Sequence, residues 1–145
     1  VMANGRALVA IGQSGDGKST LARLSRQAGA EILSDEINQL FPDGTAWGTP
    51  FRSDADLAGC PGGGVPVKAL VLLTKGDHEG FSEVSPSEFV QLALAQCYMQ
   101  PGAELPRAHL NQRLLSILAA APLKRLTFRK HPDAGRFVVD FLHAG

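Results

Sequence analysis

The residues most able to do chemistry lie within Gly12-Gln13-Ser14-Gly15-Asp16-Gly17-Lys18-Ser19-Thr20, which fits the pattern G-x-x-x-x-G-K-[ST]. Each part of that pattern has a task. Gly12, Gly15 and Gly17 let the backbone curl with its N–H groups turned inward, which makes an anion nest at the start of a helix. The Lys18 ammonium would reach the β- and γ-phosphates of a nucleotide, and the Ser19 hydroxyl would coordinate Mg²⁺. Gln13, Ser14, Asp16 and Thr20 complete the expected phosphate-binding stretch. A second constellation, Asp35-Glu36, could hold Mg²⁺ directly or through water, or accept the proton of an attacking hydroxyl. Asp35 would also suit a helix N-cap ahead of Ile37–Leu40. Arg52, after Gly48-Thr-Pro-Phe51, could clamp a phosphate or an acidic substrate, or stand solvated in a loop.

These groups need rigid elements to aim them. Ala7–Ile11 is a short apolar run rich in β-formers and followed at once by glycine, the pattern of a buried central strand. Ser19–Gln27 has helical spacing and stops at Gly29. Ala30–Leu33 reads as a second strand that would carry Asp35 to the C-terminal edge of a sheet, where open α/β sheets bind ligands. Prolines and glycines make 41–64 irregular, and a loop that long inside a domain is usually functional. A strand is expected over 67–74, with Lys75-Gly76-Asp77 as its turn. Ser85-Pro86-Ser87-Glu88 is a helix start of capping-box type, for a helix running to about Met99. A second helix is expected over 106–121, a last strand over 124–129 and a last helix over 133–142. Alternating strands and helices predict an α/β fold, with a mixed, at least partly parallel sheet flanked by helices.

The composition narrows the class. The chain has 145 residues, close to one domain's worth, and 14 basic residues balance 14 acidic ones. Neutrality gives no general pull toward nucleic acid or anionic lipid, and no apolar run is long enough for a membrane helix. Cys60 and Cys97 are too few for a disulfide framework, so a cytosolic compartment is expected. Arg129-Lys130-His131, the other histidines and the single tryptophan, Trp47, are weaker site candidates with ordinary surface or packing roles open to them.

Spacing separates the nucleotide-binding classes. Asp56–Gly59 and Thr74–Asp77 imitate the DxxG and [NT]KxD motifs of GTPases, yet no apolar strand precedes Asp56 and too little chain separates the two. No LSGGQ-like signature follows, which removes transporter ATPases. Gly12–Ala22, Gly29–Glu36 and the pair Phe41-Pro-Asp-Gly44 and Trp47-Gly-Thr-Pro-Phe-Arg52 resemble the HPr serine kinase / phosphoenolpyruvate carboxykinase-like superfamily, closest to its compact bacterial HPr-kinase-related proteins. Lys68–Gly76 and the helix after Ser85 match more loosely.

That resemblance implies a P-loop, carboxykinase-like fold and an ATP- and Mg²⁺-dependent kinase. The phosphate would go to a hydroxyl, such as a serine on a small protein or peptide. It implies that Gly12–Ser19 holds the triphosphate and that Asp35 and Glu36 share the roles of base and metal ligand. Related kinases place a histidine just ahead of the first strand, and residues 1–6 carry none. The expected organisation is one nucleotide-binding kinase domain over 1–145, open to being the C-terminal part of a longer protein and to oligomerising. The alternatives are an ATP-binding regulatory module without catalysis and a small-metabolite kinase of shikimate or gluconate type.

Overall fold

The computed structural model describes residues 1–49, 63–96 and 107–145. Arg52, Cys60 and Cys97 lie outside the described residues. The chain starts with a hairpin of β1 (Met2–Ala3) and β2 (Arg6–Ile11), turned by Asn4 and Gly5 at φ 51° and 66°. Two successive positive φ values are what a two-residue hairpin needs to match the twist of its strands, and Asn-Gly accepts them at least cost. Then follow α1 (Lys18–Gln27), β3 (Gln39–Leu40), β4 (Thr45–Trp47), β5 (Val65–Lys75), β6 (Gly80–Glu83), α2 (Pro86–Gln96), α3 (Arg107–Ala119), β7 (Leu123–Phe128) and α4 (Pro132–His143).

Among the described residues these make a seven-stranded mixed sheet and four helices, the expected α/β class. Strands β2, β5 and β7 run parallel at its centre, with Ile11 opposite Leu72 and Leu72 opposite Arg125. The edges are antiparallel, β1 on β2 and β6 on β7, while the β3–β4 hairpin joins the start of β5. Alternate residues of the central strands feed two cores. Ala7, Val9, Leu70 and Leu72 cluster with Phe89 and Ala93 of α2 and Leu118 of α3. Leu8, Val71, Leu126 and Phe128 cluster with Leu21 of α1 and Val138 and Leu142 of α4. Such two-sided burial is why β2 and the middle of β5 read as continuous apolar runs, while β7 carries Lys124 and Arg125.

Local signals place the helices. Gly29, at φ 99°, lets the chain leave α1, with its N–H on the Arg26 carbonyl. The Ser85 hydroxyl caps α2 by accepting from Glu88 N–H at 3.2 Å. His131 caps α4, its ring accepting from Asp133 N–H, and Pro132 fills the first helical position. Among the described residues no helix is long and apolar enough to cross a membrane.

Two expectations about strands need correction. Ala30–Leu33 is not a strand: among the described residues its only ladder contact is the bridge from Glu31 to Met2, with backbone bonds of 2.8 Å in both directions. The partner β1 is two residues long, so there is no edge on which to extend the pairing. Nor is 41–64 wholly irregular, since β4 falls inside it, and β3 just before it.

Candidate functional site

The glycine-rich stretch is a loop joining the end of β2 to the start of α1, as its pattern requires. Gly15 and Gly17 are left-handed at φ 92° and 99°, while Asp16 between them is not. Alternation of hand turns successive N–H groups toward one side, which is how a backbone nest is built. The Gln13 N–H already meets an anionic oxygen, donating at 2.6 Å to the Asp16 carboxylate. A Cβ at Gly12 would stand 2.7 Å from Asp16 Oδ2, so a side chain there would push that carboxylate off the Gln13 N–H. Gly17 has a second constraint: its Cβ would lie 2.8 Å from Cζ of Phe128, so the loop leans over the end of β7.

Lys18 turns back over the loop, its Nζ donating to the carbonyls of Gly12 at 2.6 Å and Gln13 at 2.7 Å. An ammonium has three protons, so this grip leaves one for a ligand. Ser19 and Thr20 sit in the first turn of α1, at the positive end of its dipole.

Asp35 is carried by a segment other than the strand its sequence suggests. Glu31 lies antiparallel to Met2, and Met2 antiparallel to Ala7, so 31–35 runs in the direction of β2. The segment is pinned by side chains in place of a ladder. Leu33 enters the core that holds Val9, and the Ser34 hydroxyl lies 3.4 Å from that of Thr49. The Thr49 hydroxyl in turn donates to the Ile37 carbonyl at 2.5 Å, and Glu36 N–H donates to Ser34 Oγ at 3.3 Å. Asp35 is 8% exposed and engaged by its surroundings, whereas Glu36 is exposed. Adjacent carboxylates have thus been sorted, one inward and one outward. The alternative of Asp35 as a helix N-cap fails, since β3 and no helix follows it.

Two further ions are drawn into ordinary structure. Arg129 is held by Glu79 at 3.0 Å and Asp133 at 3.1 Å, and His78 pairs with Asp77 at 2.7 Å. The His78 ring beside it holds the Asp77 carboxyl below the usual aspartate range. Trp47 is 43% exposed and packs edge-on against Phe41.

The types of donor present suit a nucleotide phosphate with Mg²⁺: nest amides, one lysine, one serine hydroxyl and a buried carboxylate. Among the described residues no three His, Cys, Asp or Glu side chains gather around one point. Mg²⁺ bound with phosphate asks for only one or two protein ligands, so Ser19 with Asp35 is a sufficient pair. Sequence reasoning passed over Arg125, an alternate residue of a strand whose place in line with Ile11 only the register discloses. No protein-family model, curated protein or solved structure matches the chain.

Proposed function

We propose that this protein is an ATP- and Mg²⁺-dependent phosphotransferase of HPr-kinase-like type, with a P-loop, carboxykinase-like fold. It would act in the cytosol on a hydroxyl acceptor, such as a serine on a small protein or peptide. The observation that carries the reading is the loop between β2 and α1, with two left-handed glycines and Lys18 turned over it.

The roles follow from the chemistry of each group. Nest amides and the N-terminus of α1 bind and orient the phosphates, which take the place of the Asp16 carboxylate on the Gln13 N–H. Lys18 adds a point charge where negative charge gathers, and its two carbonyl contacts fix where that charge stands. Ser19 and Asp35 would hold Mg²⁺, which supplies charge neutralisation on the phosphate oxygens. Asp35, the buried one of the two acids, is taken as the group that accepts the proton of an acceptor hydroxyl. Glu36, exposed, is left for the acceptor side.

The test is incubation with labelled ATP, Mg²⁺ and a panel of peptides and small metabolites, with products read by mass. A phosphorylated hydroxyl product that disappears in Lys18→Ala is expected. Label transfer that survives Lys18→Ala unchanged would refute the proposal.

A further inference from the structure

We infer that Arg125 is a second cation for the terminal phosphate of the bound nucleotide, with Glu88 and Thr74 as the residues that position it. The inference rests on the nucleotide reading above and adds to it a residue that no motif identifies.

The register supplies the first argument. Ile11, Leu72 and Arg125 are consecutive partners across three parallel strands, and Ile11 is the last residue before the glycine-rich loop. Arg125 is therefore two strand spacings from the root of the loop, roughly 10 Å, and at the same height. Its side chain climbs toward the sheet edge. Nη1 donates to Thr74 Oγ1 at 3.2 Å, and Thr74 stands two residues nearer the edge than Leu72. The loop also leans toward this strand, with Gly17 against Phe128, although Phe128 faces α1 and α4 whereas Arg125 faces α2.

The second argument is how Arg125 is held. Nη2 donates to Glu88 Oε1. In the capping pattern Ser85-x-x-Glu88 that carboxylate could reach back to the Ser85 N–H. Here the Ser85 hydroxyl caps Glu88 N–H, while the Glu88 carboxylate goes to Arg125. A partly exposed ion pair adds little to stability, with the Arg125 side chain 30% and Glu88 46% exposed. What the pair does achieve is orientation of a planar fork. Two of five guanidinium N–H donors are used, and three remain for phosphate oxygens, the geometry for which arginine is suited. Arg129, the nearest alternative, is bound by Glu79 and Asp133 in the corner before α4.

The experiment compares affinities of the purified protein for Mg²⁺ with adenylyl imidodiphosphate and for Mg²⁺ with ADP, by calorimetry. In Arg125→Gln the triphosphate analogue should bind roughly tenfold more weakly or worse, with ADP affinity unchanged. Arg125→Lys keeps the charge and loses the fork, so it should show a smaller loss, again for the triphosphate alone. It also serves if Arg125→Gln does not fold. Equal losses for both nucleotides, or no loss for either, would overturn the assignment and leave Arg125 a tether between β7 and α2. If the unaltered protein binds neither nucleotide, the nucleotide reading falls and this inference with it.

Discussion

Gly135 sits where α4 crosses α1, and replacing it with alanine sets two effects against each other. A Cβ there would fall well inside contact distance of the Leu24 carbonyl oxygen and 2.9 Å from Ser25 N. Helix propensity favours the change by about 1 kcal/mol. Overpacking opposes it, typically by about 1–3 kcal/mol and occasionally more. The encroached atom decides the contest: it is main chain, within a helix, and cannot rotate aside. The two helices must part by roughly 1 Å to regain ordinary contact. Leu21, Val138 and Leu142, all buried in the core these helices share, then lose part of their packing. Burial of each such side chain contributes roughly 1.5–3 kcal/mol, so losing a fraction of three places the cost at or beyond the upper end of the overpacking range. The net expectation for Gly135→Ala is destabilisation by about 2 kcal/mol or more, which for a domain of this size lowers Tm by roughly 6 °C. Calorimetry and urea unfolding measure it. Because α1 carries Lys18 and Ser19 in its first turn, nucleotide affinity should fall as well. A Tm equal to or above that of the unaltered protein would show that the α1–α4 contact is looser than described, and would refute the reasoning.

Ser25 lies on the same contact, fully buried, with a hydroxyl that has no hydrogen-bond partner among the described residues. Since an unsatisfied buried hydroxyl costs about 1–3 kcal/mol, Ser25→Ala should raise stability by about 1 kcal/mol, and a fall in urea midpoint would contradict this. At the β3–β4 hairpin, the Asp43 carboxylate accepts from the Thr45 hydroxyl at 2.7 Å and the Thr45 N–H at 2.9 Å. The hydroxyl first, then the amide, holds its pKa below the usual aspartate range. With the folded value depressed, the contact is intact above the ordinary aspartate pKa and is lost as pH falls through the folded value. Trp47, the only tryptophan and two residues beyond Thr45, should report that loss as an acid fluorescence transition that Asp43→Ala removes. A transition unaltered in Asp43→Ala would assign it to another group.

Legibility in the sequence depended on how each feature is encoded. β2, α1 and the loop between them were readable because an apolar run, three glycines and Lys18-Ser19 act within a few residues of one another. The start of α2 was readable from Ser85-Pro86, whose effect is local, while its expected end near Met99 lies outside the described residues. β6 was not, because Gly80-Phe-Ser-Glu83 is a short edge strand with half-exposed or exposed residues, and only pairing with β7 makes it a strand. The hairpin at Asn4-Gly5 carried a recognisable turn signal that was passed over beside the stronger motif. Asp35 was found from chemistry, yet the element under it was misread: Ala30–Leu33 has strand-like composition but only a two-residue neighbour. Arg125 was invisible because its significance is a matter of register, a long-range property that no spacing along the chain records.

The central claim is that the loop from Gly12 to Ser19 binds the phosphates of a nucleotide through Lys18. Titration of Mg²⁺-ATP into the protein and into Lys18→Ala, with folding of both verified by circular dichroism, tests it most directly. The account predicts saturable binding, with one ATP per chain, that drops by at least roughly tenfold in Lys18→Ala. Absence of binding to the unaltered protein, or equal binding by both, would contradict it.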